Sequence, residues 1–438
     1  MRFDPLGRRA AVDLAQAAER TRRLRRRNRR LSGRVAELEQ ELERRPPVKP
    51  ASTDWVKRGH QRLHAIHHDG ERPQVVLVLH GFSSAVVFAG VTTAVHAAAR
   101  LCRELDRRLR VVIFDTDDEP DAVRSALATI LGSRSDHADL ARDVRVSTPH
   151  ADDGLGHHRD DVWVVTYWTT AEGVATLADA GRVDRRRVVY LVQDFEPAFH
   201  PWGDHYARAL ATYASGFRLL VNSRPLSRYV ADRTGAALDP DAVFAPALAF
   251  GELAETARRW RPAEPGVIRV LFYARPSKPR NMFSTGVGAL RAWAAGLPEG
   301  QRAVVRLAGE DIADPVDLGG RAEVEMLGKT SLEAYYDVLA DTDIGLALML
   351  SPHPGHLALE MPAAGIPTVT NQFDGYREPW VAGLDVADAT PAGLAHALAE
   401  VAGRLPVEHR ATAYAMDLGG RLDDAVSALV SSMDEPRR

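Results

Sequence analysis

Two series of short, mostly apolar runs punctuate this chain and set its fold class. The first comprises Val75 to Leu79, Val111 to Phe114, Val162 to Thr166, Val188 to Val192 and Leu219 to Asn222. The second comprises Ile268 to Tyr273, Ala303 to Leu307, Val324 to Leu327, Ile344 to Leu350 and Thr368 to Thr370. Stretches with helical periodicity separate the runs. A run that is apolar throughout suits a strand buried on both faces, and strands alternating with helices build parallel sheets covered on each side. The expectation is an α/β chain with two Rossmann-like βα domains. The polar, proline-bearing segment Glu252 to Pro265 lies between the two series and reads as the interdomain connection.

Length and charge narrow the classes further. A chain of 438 residues exceeds what one compact core encloses, which agrees with two domains and an appendage. A net charge of −3 gives no general attraction for nucleic acid. The single Cys102 excludes an internal disulfide framework and a thiolate zinc cluster. No apolar run is long enough for a membrane span or a signal-peptide core, so the expected location is the cytosol. Attachment to a membrane surface would then go through a partner or a basic segment.

The appendage is N-terminal. Leu24, Leu31 and Leu38 occupy one heptad position and Asn28, Val35 and Leu42 the next apolar one, a seam that runs through residues 8–45. A polar Asn at one such position fixes register in a parallel dimer. Residues 20–30 carry eight arginines, so the same helix also suits an anionic surface. Pro46, Pro47 and Pro50 end it, because proline cannot continue the helical ladder. The expected organisation is a coiled-coil or basic helix and linker at 1–50 and a first Rossmann-like domain at 51–260. A second such domain follows at 261–405, and a C-terminal helix within 406–438 returns to the first domain.

Ligands of open α/β sheets bind beyond the carboxyl ends of strands, so the residues just after each run are the site candidates. After the first run, Gly90 opens a helix whose N-terminus can face an anion, although no G-x-G-x-x-G is present. After Val192 comes Gln193-Asp194-Phe195-Glu196-Pro197, followed by Trp202. Carboxylates there can accept from sugar hydroxyls, and Phe195 or Trp202 can cover an apolar sugar face; a proline-stiffened loop over the core is the plainer alternative. After Tyr273, Arg275, Lys278 and Arg280 cluster before a helix. Arginine can chelate phosphate oxygens and lysine can supply a point charge, while a solvated basic turn would look the same. After Leu350, Ser351-Pro352-His353-Pro354-Gly355 precedes a short helical pattern that holds Glu360 among apolar neighbours, a costly place for a carboxylate unless something binds it. His353 and His356 flank Pro354-Gly355, which breaks regular metal-ligand spacing, so no metal is expected.

The motifs VQDFEPAFHPWG, FYARPSKPRN and LMLSPHPGHLALEMPAAGIPTVTN, set in two βα domains, resemble the GT-B glycosyltransferases. Specifically, they resemble retaining glycosyltransferase family four, and within it the WsaF-type rhamnosyltransferases of bacterial surface-polysaccharide assembly. The resemblance covers about residues 70–430. It implies that the two domains face a cleft and that no cofactor is permanently bound. The donor implied is a nucleotide-diphosphate sugar, dTDP-rhamnose, and the acceptor a glycan or lipid-linked glycan. By position, Arg275 and Lys278, with Arg280, would hold the diphosphate. Glu360 would bind the nucleotide ribose, and backbone N–H groups near Ala358 and Leu359 would face phosphate. Gly328, Lys329 and Thr330 would lie by the base, and Gly90 would approach the diphosphate from across the cleft. Asp194 and Glu196 would serve catalysis on the acceptor side, with Phe195 and Trp202 lining it.

Two departures stand out. Many relatives carry an acid eight positions before the ribose-binding glutamate, and here that position is Pro352. The first-domain loop reads Phe88-Ala89-Gly90 where two glycines are common. Both leave room for alternatives, namely a noncatalytic GT-B-like scaffold in an envelope assembly complex or a sugar-nucleotide epimerase. The expected partners are donor and acceptor, a second copy through residues 8–45, and an envelope complex at the inner face of the membrane.

Overall fold

In the computed structural model of the chain, the residues described are 72–84, 89–148 and 156–433, together with 23, 59, 60 and 63. The expected coiled coil at 8–45 therefore lies outside the described residues, apart from Arg23. Residues Trp55–Arg438 form one compact unit that contains both sheets.

The first sheet has seven parallel strands: β1 (Gln74–Gly81), β2 (Arg108–Asp115), β3 (Arg145–Ser147), β4 (Val162–Val165), β5 (Val188–Val192), β6 (Arg218–Asn222) and β7 (Val243–Phe244). Their order is β3-β2-β1-β4-β5-β6-β7. In β1, Val75, Leu77 and Leu79 enter the core on one face, with the Ala89–Leu105 helix, while Val76 and Val78 enter the core on the other, with Trp163 and Val174. Two buried faces explain why this strand is apolar at consecutive positions.

The second sheet repeats the plan with β8 (Val267–Ala274), β9 (Arg302–Gly309), β10 (Ala322–Gly328), β11 (Ile344–Leu346), β12 (Thr368–Asn371) and β13 (Leu384–Ala387). Its order is β10-β9-β8-β11-β12-β13. In each sheet the strand order reverses beside the first strand, between β1 and β4 and between β8 and β11, and crevices for ligands open at such points.

Two differences from the sequence expectation have physical causes. The run to Leu350 is a regular strand only through Leu346. Beyond it the Asn371 side chain receives the Met349 N–H at 2.7 Å, and the Leu350 N–H goes to the Arg280 carbonyl at 2.7 Å. The proposed connection contains the Phe250–Arg259 helix, whose Leu253 is buried in the second domain's core and whose Arg259 pairs with Asp337 at 2.6 Å. It thus belongs to the second domain. As expected, the Leu422–Met433 helix lies on the first domain: Ala425, Val426 and Leu429 join its core, and Arg134 grips Asp423 through two hydrogen bonds of 3.1 and 2.7 Å.

Candidate functional site

The carboxyl edge of the second sheet carries a cavity of about 330 Å³ lined by Leu271, Tyr273, Ala308, Gly309, Lys329, Thr330, Ser331, Leu332, Tyr335 and Leu357. Glycines shape it. Gly309 and Gly328 have φ of 127° and 63°, a region that favours glycine. A Cβ on Gly309 would meet the Tyr273 ring at 2.7 Å, and one on Gly328 would meet Asp311 Oδ1 at 2.1 Å. The turn at Gly328 brings Lys329 and Thr330 to the cavity wall.

Glu360 borders the cavity through Tyr335. The Tyr335 hydroxyl donates to Glu360 Oε2 at 2.9 Å, and Oε1 lies 3.9 Å from His356 Nδ1. Burial and the carboxylate together push the Tyr335 phenol far above its ordinary range, so it stays a donor. The Leu357–Ala363 helix that carries Glu360 packs tightly on β11 because Gly345 has no side chain; a Cβ there would sit 2.5 Å from Met361 Sδ. Of the backbone groups expected to face phosphate, the Leu359 N–H is already donated to the His356 carbonyl at 2.9 Å, and Ala358 is buried. Leu359 is therefore not an anion donor: in so short a helix its N–H closes the first turn.

Arg275 flanks the cavity from β8. Its Nη1 donates to the Tyr273 hydroxyl at 3.2 Å, and its Nε is buried without a partner. Lys278 is exposed. Glu310, which the sequence reading did not single out, sits beside them. The Ser277 N–H donates to its Oε2 at 3.1 Å, and hydrogen bonding from the Ser277 side chain and then from this N–H, aided by the fields of Arg275 and Lys278, holds its carboxyl below the usual range. Arg280, expected with this group, turns to the first domain instead. Its guanidinium stacks 4.4 Å from the Phe199 ring, and Nη1 lies 3.8 Å from Asp194 Oδ2.

Asp194 is thus a cleft-crossing residue. It accepts a hydrogen bond from the Ser351 hydroxyl of the second domain and one of 2.8 Å from the Phe195 N–H. Burial raises its carboxyl, opposed first by Arg280 and then by the Ser351 bond. Glu196, two residues on, is 3% exposed and does not line the cleft. Its Oε2 accepts from the Trp168 N–H, an orphan donor at the start of the Trp168–Asp179 helix, and from the Tyr190 hydroxyl at 2.8 Å. Burial raises its carboxyl to about 8, so at neutral pH it is protonated, a helix-capping acid rather than a carboxylate catalyst. Phe195 is 2% exposed and packs in the core against Tyr213 and Tyr229. Trp202 is the opposite case, 88% exposed and stacked on Tyr206 at 5.7 Å. Gly90 lies in the first turn of the Ala89–Leu105 helix, where its carbonyl accepts from Gln193 Nε2 at 2.9 Å.

The loop before the Glu360 helix is organised by a residue that no motif flagged. Arg377 is 2% exposed. It donates to the carbonyls of Met349 (2.7 Å), Ser351 (3.3 Å), His353 (3.2 Å) and Pro354 (3.0 Å) and to the Thr370 hydroxyl (3.1 Å). Burial pushes the guanidinium down to about 9, opposed by the Asp194 carboxylate, and it remains charged at neutral pH. Within the loop, His353 Nδ1 accepts from the Gly355 N–H at 3.0 Å, and burial lowers its imidazole to about 3. His353 is thus a neutral ring, and its neighbour His356 lies 6.3 Å away between centroids. Among the described residues no group of three or more His, Cys, Asp or Glu side chains could hold a metal ion. Nor is any described helix long and apolar enough to cross a membrane.

Two Rossmann-like domains whose carboxyl edges meet across a cleft define the GT-B class. The chain is similar to the N-terminal domain of Candida albicans trehalose-6-phosphate phosphatase, with 8% identity over 84% of this chain and 98% of that one and a TM-score of 0.51. It is also similar to the Anabaena HepE protein solved in complex with UDP, with 13% identity over 82% and 95% and a TM-score of 0.49. The chain belongs to the WsaF family: the WsaF N-terminal domain matches residues 74–221 and the WsaF C-terminal domain residues 268–399. An O-antigen biosynthesis protein, RfbC of Myxococcus xanthus, is 32% identical over 311 residues, 70% of this chain. The chain spans 23% of that relative's length.

Proposed function

We propose that the chain is a retaining glycosyltransferase of surface-polysaccharide assembly that moves a hexosyl group, rhamnose, from dTDP-rhamnose to a glycan or lipid-linked glycan. The observation that supports this reading is the cavity at the β8–β10 edge, two of whose lining tyrosines are bonded to the candidate groups: Tyr335 to Glu360 and Tyr273 to Arg275. A nucleoside suits the cavity, its ribose suits the carboxylate, and its diphosphate suits the cation at the strand end. Departure of the diphosphate builds negative charge, and a fixed guanidinium stabilises that charge more in the transition state than in the ground state. Lys278 adds a second, exposed cation. The exposed Trp202 on Tyr206 is the surface offered to the acceptor. The reaction needs no permanently bound cofactor and runs at the cytoplasmic face of the membrane, with residues 8–45 joining two copies.

Purified protein given dTDP-rhamnose and a lipid-linked glycan should release dTDP, and Arg275→Ala or Glu360→Ala should remove most of that release. Full turnover in both variants would refute the site. A noncatalytic scaffold is the second reading, favoured by Pro352 in place of an acid; protein that binds dTDP but releases none from any acceptor would support it.

A further inference from the structure

The loop from Met349 to Gly355 contains Pro352 and Pro354, which have no N–H to give. Its carbonyls must therefore find donors elsewhere. Arg377 supplies them, reaching four of these carbonyls and Thr370 from a single buried guanidinium. The planar fork does this with its two Nη groups alone, Nη1 serving two acceptors and Nη2 shared among three, while Nε is buried without a partner; an ammonium with three N–H groups lacks that spread. No carboxylate touches Arg377 among the described contacts. The favourable charge it feels is that of Asp194, on the other domain. Ser351 joins the two: its carbonyl accepts from Arg377 and its hydroxyl donates to Asp194.

We infer that Arg377 is a positioning residue for the donor site: it sets the 349–355 loop that delivers Glu360, and through Ser351 it links that loop to closure of the first domain. The inference rests on the reading that a nucleotide occupies the cavity beside Tyr335 and Glu360. Arg377 is buried and does not line the cavity. Its effect reaches the nucleotide through the loop, so changing it alters donor affinity, and cutting the Ser351 tie alters the step that requires both domains together.

The test uses full-length protein titrated with dTDP and, in a second arm, UDP, alongside steady-state dTDP release. Arg377→Lys keeps the charge and loses the fork. It should weaken nucleotide binding and raise the donor KM by about tenfold or more while leaving the acceptor KM nearly unchanged, with a ligand-free Tm lowered by the unpaired carbonyls. Ser351→Ala should lower kcat severalfold with nucleotide affinity little altered. Should Arg377→Lys fail to fold, Thr370→Val removes one of the five acceptors and should weaken nucleotide binding by a smaller factor. A folded Arg377→Lys or Thr370→Val protein that binds nucleotide as wild type overturns the inference and leaves the donor site standing. A parallel fall in Tm and in both donor and acceptor affinity overturns it too, because it marks a purely structural residue. Wild-type protein that binds neither nucleotide overturns the donor site and the inference together.

Discussion

The Tyr335 hydroxyl holds one oxygen of the Glu360 carboxylate at 2.9 Å and leaves the other toward His356, so the acid proposed to bind ribose is oriented by a side chain from a different βα unit. Tyr335→Phe removes that bond and keeps the ring. The expected result is a donor KM raised roughly fivefold, the equivalent of about 1 kcal/mol, with kcat nearly unchanged. Initial-rate kinetics at saturating acceptor measure it; an unchanged donor KM would show that Glu360 needs no such support.

Gly328 turns the chain at φ 63° against Asp311. Gly328→Ala adds a Cβ into that contact and strains the turn, with an expected cost of about 1–3 kcal/mol. Nucleotide affinity should fall because Lys329 and Thr330 shift from the cavity wall. Calorimetric titration with dTDP, paired with a thermal melt, separates the two effects.

Glu196 gives a pH signature. Its folded carboxyl titrates at about 8 and its ordinary value is 4.5, so between these values the folded state holds a proton that the unfolded state has released. Stability therefore falls as pH rises from about 4.5 to about 8. Glu196→Gln keeps an oxygen to accept from Tyr190 and Trp168 and cannot ionise. Urea melts across this window should show a flatter pH dependence for the variant; identical slopes would contradict a buried protonated acid.

The Leu422–Met433 helix should be part of the first domain's stability rather than a tail. Leu429→Ala is expected to cost about 2–4 kcal/mol through lost burial and a residual cavity. The Arg134 pair holds the Asp423 carboxyl below its usual range, so its contribution is present above the ordinary carboxylate pKa and fades as pH falls through the folded value. Asp423→Asn should thus lower Tm at neutral pH and converge with wild type in acid, as calorimetric scans would show.

Most strands were legible in the sequence because central strands of a doubly covered sheet are apolar on both faces, as β1 and β5 are. The strands missed were β3, β7 and β13, which span two to four residues and lie at sheet edges, where one side is unpaired and too little chain is buried to leave a pattern. At the site, Glu360 and Arg275 were singled out by residue type and place after a run, and Lys329 and Thr330 only by the family resemblance. Tyr335, Glu310 and Arg377 were not, since nothing local to them marks their partners. Phe195 and Glu196 share a motif with Asp194, yet consecutive residues at the end of a strand point different ways: Asp194 crosses the cleft while its neighbours enter the core.

By itself, then, the sequence determined two βα series, the order of their strands' residues and the polar groups that follow each run, because periodicity and composition are local properties. Only the tertiary structure decided which of those groups meet. Arg280 leaves the cation cluster for Asp194 and Phe199, Tyr335 reaches Glu360, and Arg377 gathers the carbonyls of a loop whose prolines cannot bond for themselves. Such contacts join residues far apart in the chain, and it is the packing of the two sheets that brings them within hydrogen-bond range.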